Sequence, residues 1–238
     1  MREKTFSLSD SAANSLPAER AAFIRRTYSH LAVAILAFTA LEYYLVNAPF
    51  AAKLASSMTG GMSWLIVLGL FMGVSYIANK LAISGGSEQM QYLGLGLFII
   101  AEAIVFLPLL FIATHFGGEG LIPTAGLMTL LLVGGITATV FITKKDFSFM
   151  GGVLSIGGFV ALGFIVCSII FGFSLGLIFS AVMIFFAGGS VLYSTSNILH
   201  QYRTDQHVAA SLSLFASVAL LFFYILQFLM SFAGGGDD

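Results

Sequence analysis

Apolar residues in this chain come in long unbroken blocks, not in the alternation of a half-buried strand or the narrow stripe of a surface helix. Seven blocks stand out, at roughly 29–48, 62–79, 91–114, 121–142, 149–171, 175–198 and 208–232. Each is close to the roughly 17–25 residues a helix needs to cross a bilayer, so the pattern predicts seven transmembrane helices. Only Gly172, Phe173 and Ser174 separate the fifth block from the sixth, which predicts a tight hairpin. Before the first block lies a polar stretch in which Pro17 precedes AERAAFIRR, a candidate short surface helix. The expected organisation is a polar N-terminal tail (1–26), mobile or lying on the membrane surface, then a transmembrane domain (27–233) and a short acidic tail (234–238).

The last two blocks break the apolar pattern in an ordered way. On the sixth, Ser190, Ser194, Asn197 and Gln201 recur at intervals of four, three and four, which places them along one helix face. On the seventh, Ser213, Ser217, Tyr224 and Gln227 follow a seven-residue repeat in which Leu220 fills the remaining place. Two polar stripes on consecutive apolar helices predict a seam between them, either hydrated or closed by helix-to-helix hydrogen bonds. Such bonds contribute about 0.6 kcal/mol each on average inside a membrane, and up to roughly 1.7.

Composition agrees with the block pattern and excludes a water-soluble globule. Hydrophobic residues make up 58% of the chain and charged residues 9%, with a mean hydropathy of +0.99, too little polar matter to cover a soluble surface. Charge placement then orients the spans. Seven crossings put nine of the ten Lys and Arg residues (Arg2, Lys4, Arg20, Arg25, Arg26, Lys80, Lys144, Lys145 and Arg203) on the side of the N-terminus, with only Lys53 opposite. By the positive-inside rule that side is cytoplasmic, and the C-terminus lies across the membrane. The N-terminus reads as a tail, not as a cleavable signal. Net charge is −1 and no basic patch with interleaved aromatics occurs, so nucleic acid is not an expected partner. The single cysteine, Cys167, sits in an apolar run and is expected to be a buried structural thiol. Gly69 and Gly73 fit a GxxxG contact, and paired glycines elsewhere predict close helix packing.

Two carboxylates fall inside the predicted spans, Glu42 and Glu102, with no lysine or arginine beside them. Ionisable groups there are costly, about 2.5–3.5 kcal/mol or more, and face the bundle interior or water. Glu102, halfway along the third span, is either a proton-sensing or cation-coordinating group or a neutral hydrogen-bonded acid; Glu42 is near enough to the far interface to reach water. The histidines, His30, His115, His200 and His207, lie near span ends at no metal-ligand spacing. His200 and His207 bracket the Arg203–Asp205 turn and could respond to pH. No phosphate loop, nucleophile elbow or paired catalytic carboxylates can be read, so no catalytic residue, cofactor or metal site is predicted.

Longer runs then carry a family resemblance. VLYSTSNILHQYRTDQHVAASLSLFASVALLFFYIL resembles the end of the Bax inhibitor one (lifeguard, TMBIM) family, and FITKKDFSFMGGVL (141–154) is similar to that family's junction between the fourth and fifth helices. FIRRTYSHLAVAIL (23–36) resembles the entry to its first helix, and Glu102–Ala103 a Glu-Gly pair found in some bacterial members. The resemblance implies an all-α membrane protein, a seven-transmembrane-helix bundle with six helices around a central C-terminal helix. Channel-like members carry an aspartate pair proposed to gate a calcium leak; the matching positions here are Ser194 and Ser217, neither of which titrates, with Asn197, Ser213, Tyr224 and Gln227 as support. The serines and the TKKDFSFMGG junction resemble the bacterial YccA-like branch. That branch implies an inner-membrane protein that binds and modulates an FtsH-type quality-control protease, with no enzymatic activity of its own. The alternative is a pH-sensitive calcium or cation leak through Glu102 and the Ser194/Ser217 seam. Expected partners are thus the lipid bilayer and either the protease complex or calcium ions.

Overall fold

Long apolar blocks can satisfy their backbone groups in lipid only by closing helical hydrogen bonds within themselves, and the computed structural model is built of helices throughout its described residues, 11–83 and 87–234. The helices are α1 (Pro17–Val46), α2 (Ala51–Met58), α3 (Met62–Ile83), α4 (Glu88–Phe116), α5 (Leu121–Thr143), α6 (Met150–Phe171), α7 (Gly176–His200) and α8 (His207–Gly234), with a 3-10 turn at Ala12–Asn14 ahead of them. All but α2 are long and apolar enough to span a bilayer, which makes seven spans among the described residues. Even the shortest of these, at 22 residues, rises about 33 Å.

Local chemistry sets several boundaries. Pro17 opens α1, where its missing N–H is no loss, and Glu19 complements the positive end of the helix dipole. The predicted short surface helix is not separate: Ala18–Arg26 is the first part of α1. In the α1–α3 connection the sequence pattern gave no sign of α2. Gly172, with φ +71°, ends α6 in the left-handed conformation a glycine takes readily, and the predicted hairpin follows.

α8 lies at the centre. Its apolar stretch is 72% buried, against 6% for that of α6, and it packs against α1, α3, α4, α5 and α7. α6 leans on α7 and meets α8 where Ala161 clusters with Met183 and Tyr224. The core around α8 is aromatic: Phe38 of α1 and Phe106 of α4 meet edge to face at 5.1 Å, and Phe106 meets Phe223 of α8 at 5.2 Å. α3 and α4 approach through Gly94, where a Cβ would stand 2.5 Å from the Ala78 carbonyl oxygen. Gly69 and Gly73, by contrast, face open space.

Cys167 corrects an expectation. It is exposed on α6, because the apolar run around it faces outward; in a membrane protein an apolar neighbourhood in sequence does not distinguish the core from the lipid side. The segment before α1 is also docked where the described residues begin: Ser11 and Ala12 are buried, and the Ala12 N–H donates to the Tyr202 carbonyl over 2.9 Å. The remainder of the predicted tail (1–10) and the C-terminal residues 235–238 lie outside the described residues.

Candidate functional site

Three contacts define one end of the bundle. The His30 ring of α1 hydrogen-bonds the Tyr92 hydroxyl of α4 at 2.9 Å and meets the His207 ring of α8 at 4.9 Å between centroids. Phe147, in the α5–α6 loop, donates its N–H to Ser196 Oγ of α7 at 2.8 Å. This end carries Arg20, Arg25, Arg26, Lys80, Lys144, Lys145 and Arg203, while Lys53 is at the other. Arg203 pairs with Asp205 in the α7–α8 loop. Asp146 accepts the Ser148 N–H at 2.9 Å, and this bond holds its carboxyl below the ordinary carboxylate range; burial pushes the Tyr202 phenol up.

In the half of the bundle nearer that end, α7 and α8 are joined by a chain of hydroxyls. Ser194 and Ser217 are hydrogen-bonded at 2.8 Å, Ser190 and Ser217 at 2.9 Å, and Ser194 and Ser213 at 3.3 Å. Ser217 Oγ also lies 3.1 Å from the Ser213 carbonyl, to which it can donate. Ser194 and Ser217 are both buried. Each hydroxyl has one proton and two lone pairs, so a chain of them can be mutually satisfied without any charge.

The remaining stripe residues divide. Asn197, also buried, sits one turn beyond Ser194; its carbonyl accepts from Gln201 and Tyr202, while its side-chain Oδ1 has no hydrogen-bond partner. Tyr224 and Gln227 are not brought to the seam. Tyr224 packs its ring near Phe223 and Phe179, and both residues line a cavity of about 330 Å³ bounded by α3, α4, α6, α7 and α8. On this stretch α7 presents apolar residues, Phe179 and Met183, to Tyr224, so the far end of the stripe finds no hydroxyl to join.

That cavity is where Glu102 lies. Its side chain is buried with Oε2 unpartnered, and the Oε1 of Gln227, which lines the same cavity from α8, is unpartnered too. Glu42 occupies a second cavity, of about 530 Å³, between α1, α4, α5 and α8, and neither of its carboxylate oxygens has a partner. The two acids thus serve separate cavities on different sides of α8. Sequence reasoning missed the His30–His207 contact and the Phe147–Ser196 tie, since both join residues far apart in the chain. The latter does link two of the runs that carry the family resemblance, 141–154 and the one that contains Ser196. Among the described residues no group of three or more His, Cys, Asp or Glu could hold a metal ion.

Fold and site together define a multi-pass membrane protein, a seven-helix bundle whose buried C-terminal helix is hydroxyl-bonded to its neighbour. The profile of the family described as Inhibitor of apoptosis-promoting Bax1 matches residues 20–234, and the chain belongs to that family. It is similar to an uncharacterized protein of Pseudomonas aeruginosa, 30% identical over 246 residues and covering all of both chains. Protein LIFEGUARD 4 of Arabidopsis thaliana is 26% identical over 216 residues, 88% of this chain and 85% of the relative. Modulator of FtsH protease YccA of Escherichia coli is 38% identical over 94 residues, 39% of this chain and 42% of the relative. No solved structure matches the chain.

Proposed function

We propose that this protein is a non-enzymatic component of a bacterial inner membrane that binds and modulates an FtsH-type quality-control protease. The observation that carries the reading is the neutral seam. Ser194 and Ser217 stand at the positions of a proposed acidic latch and hold α7 to α8 through hydroxyls alone, so no proton need bind or leave for the contact to persist. Similarity over 94 residues to a relative named for modulating FtsH points to the class of partner. Basic residues gathered at one end favour a cytoplasmic N-terminus and a periplasmic C-terminus, with residues 1–10 on the side where a cytoplasmic protease domain could engage them.

The test is co-purification of the full chain with an FtsH-type protease from native membranes, together with the chain's half-life with and without residues 1–10. Co-purification and a longer half-life on deletion are expected; no association and an unchanged half-life would sink the proposal. A second reading, a pH-sensitive calcium or cation leak, is favoured by the Glu102–Gln227 cavity beside α8. It predicts proton-dependent calcium flux into liposomes that Glu102→Gln abolishes, and flux no greater than that of empty liposomes would exclude it.

A further inference from the structure

The larger cavity holds a group the seam does not use. Its walls are apolar, formed by residues such as Phe38, Val46, Leu110, Phe215 and Phe222. Of its polar neighbours, Tyr43 and Thr114 are exposed, while Thr39 Oγ1 donates to the Ile35 carbonyl at 2.8 Å and Thr129 Oγ1 to the Ala125 carbonyl at 2.7 Å. The Asn47 amide likewise donates to the Tyr43 carbonyl at 2.7 Å. None of these donors is turned to Glu42, which is 4% exposed and has both carboxylate oxygens without a partner.

A buried acid that finds no hydrogen-bond donor in the protein is costly, and here the cost coincides with a space of about 530 Å³, in the range of small-molecule sites. The lining includes exposed side chains, Tyr43 of α1 and Leu130 of α5 between spans and Asn47 and Thr114 near the ends of α1 and α4, so the space opens at the protein surface within reach of an amphiphile seated in the bilayer.

We propose that this cavity is a binding site for a lipophilic amine: an apolar body against the aromatic and aliphatic walls, and a terminal ammonium whose N–H groups donate to both oxygens of Glu42. The two orphaned oxygens select the head group. A primary ammonium offers enough donors for both and compensates the charge, a hydroxyl offers a single donor, and a quaternary ammonium offers none. This site is independent of any protease partner and lies in a different cavity from Glu102.

The test uses the full chain in nanodiscs and equilibrium dialysis of radiolabelled 4-phenylbutylamine, with empty nanodiscs as the measure of partition into lipid. Saturable binding above the empty discs is expected, at least tenfold tighter than for 4-phenylbutanol or for the N,N,N-trimethyl analogue. Glu42→Gln keeps the shape and is expected to weaken the amine about tenfold or more. Gly126→Leu is the second variant: Gly126 lines the cavity and a Cβ there meets nothing within 4 Å, so the new side chain fills the space while Glu42 remains, and binding is expected to disappear. Uptake that never exceeds the empty discs, equal binding of amine and alcohol, or unchanged amine binding in Gly126→Leu would each overturn the proposal.

Discussion

Ser217 is the most connected hydroxyl of the seam, and its removal gives the sharpest quantitative test. Ser217→Ala deletes one oxygen and with it two inter-helix bonds, to Ser194 at 2.8 Å and Ser190 at 2.9 Å. At about 0.6 kcal/mol per inter-helix hydrogen bond the expected loss is about 1.2 kcal/mol, with an upper bound near 3.4 if both bonds reach the largest values seen. The bond to the Ser213 carbonyl adds little, because that carbonyl keeps its place in the helical ladder of α8. Ser190→Ala removes one inter-helix bond and should cost about half as much. In a double-mutant cycle, Ser194→Ala with Ser217→Ala shares the 2.8 Å bond, so the two losses should fall short of additivity by about 0.6 kcal/mol. The assay is reversible unfolding in mixed micelles at increasing dodecyl sulfate, followed by circular dichroism. Strict additivity, or a Ser217→Ala protein as stable as the parent, would refute the view that these hydroxyls bind α7 to α8.

Other sites give separate checks. Ser196→Ala strips the Phe147 N–H of its acceptor and should cost about 1–3 kcal/mol in the same assay, with Ser196→Thr recovering part of it. Gly94→Ala should destabilise by about 1–3 kcal/mol, although alanine is the better helix former by about 1 kcal/mol, because the new Cβ meets backbone atoms of α3 that cannot turn aside; a more stable protein would contradict the close α3–α4 approach. Asp146, held below its ordinary range by the Ser148 N–H, contributes stability that is present above the ordinary carboxylate pKa and is lost as pH falls through the lowered value. Asp146→Ala should therefore melt slightly below the parent at neutral pH, and the gap should close on acidification below about pH 3.

How much of this was legible in the sequence depends on the range of the interaction that decides each feature. Seven spans, the Gly172 hairpin and the gathering of basic residues at one end follow from block length, from glycine's freedom at positive φ and from alternation of direction, all local or additive along the chain. The seam was legible to its middle: Ser190 and Ser194 on one helix, and Ser213 and Ser217 on the other, each lie one turn apart and so share a face. Beyond Leu220 the facing stretch of α7 offers Phe179 and Met183 in place of hydroxyls, and only the tertiary structure decides that Tyr224 and Gln227 line the Glu102 cavity. Cys167 shows the same limit on another side, since lipid and core are equally apolar and a hydropathy pattern cannot tell an outward face from an inward one. The Glu42 cavity needed four helices in register to exist at all. Sequence alone thus determined which segments cross the membrane and in which order, because the bilayer reads length and hydropathy; which faces meet, which acids lie in which cavity and which oxygens are left unbonded were decided by the packing of the other six spans around α8.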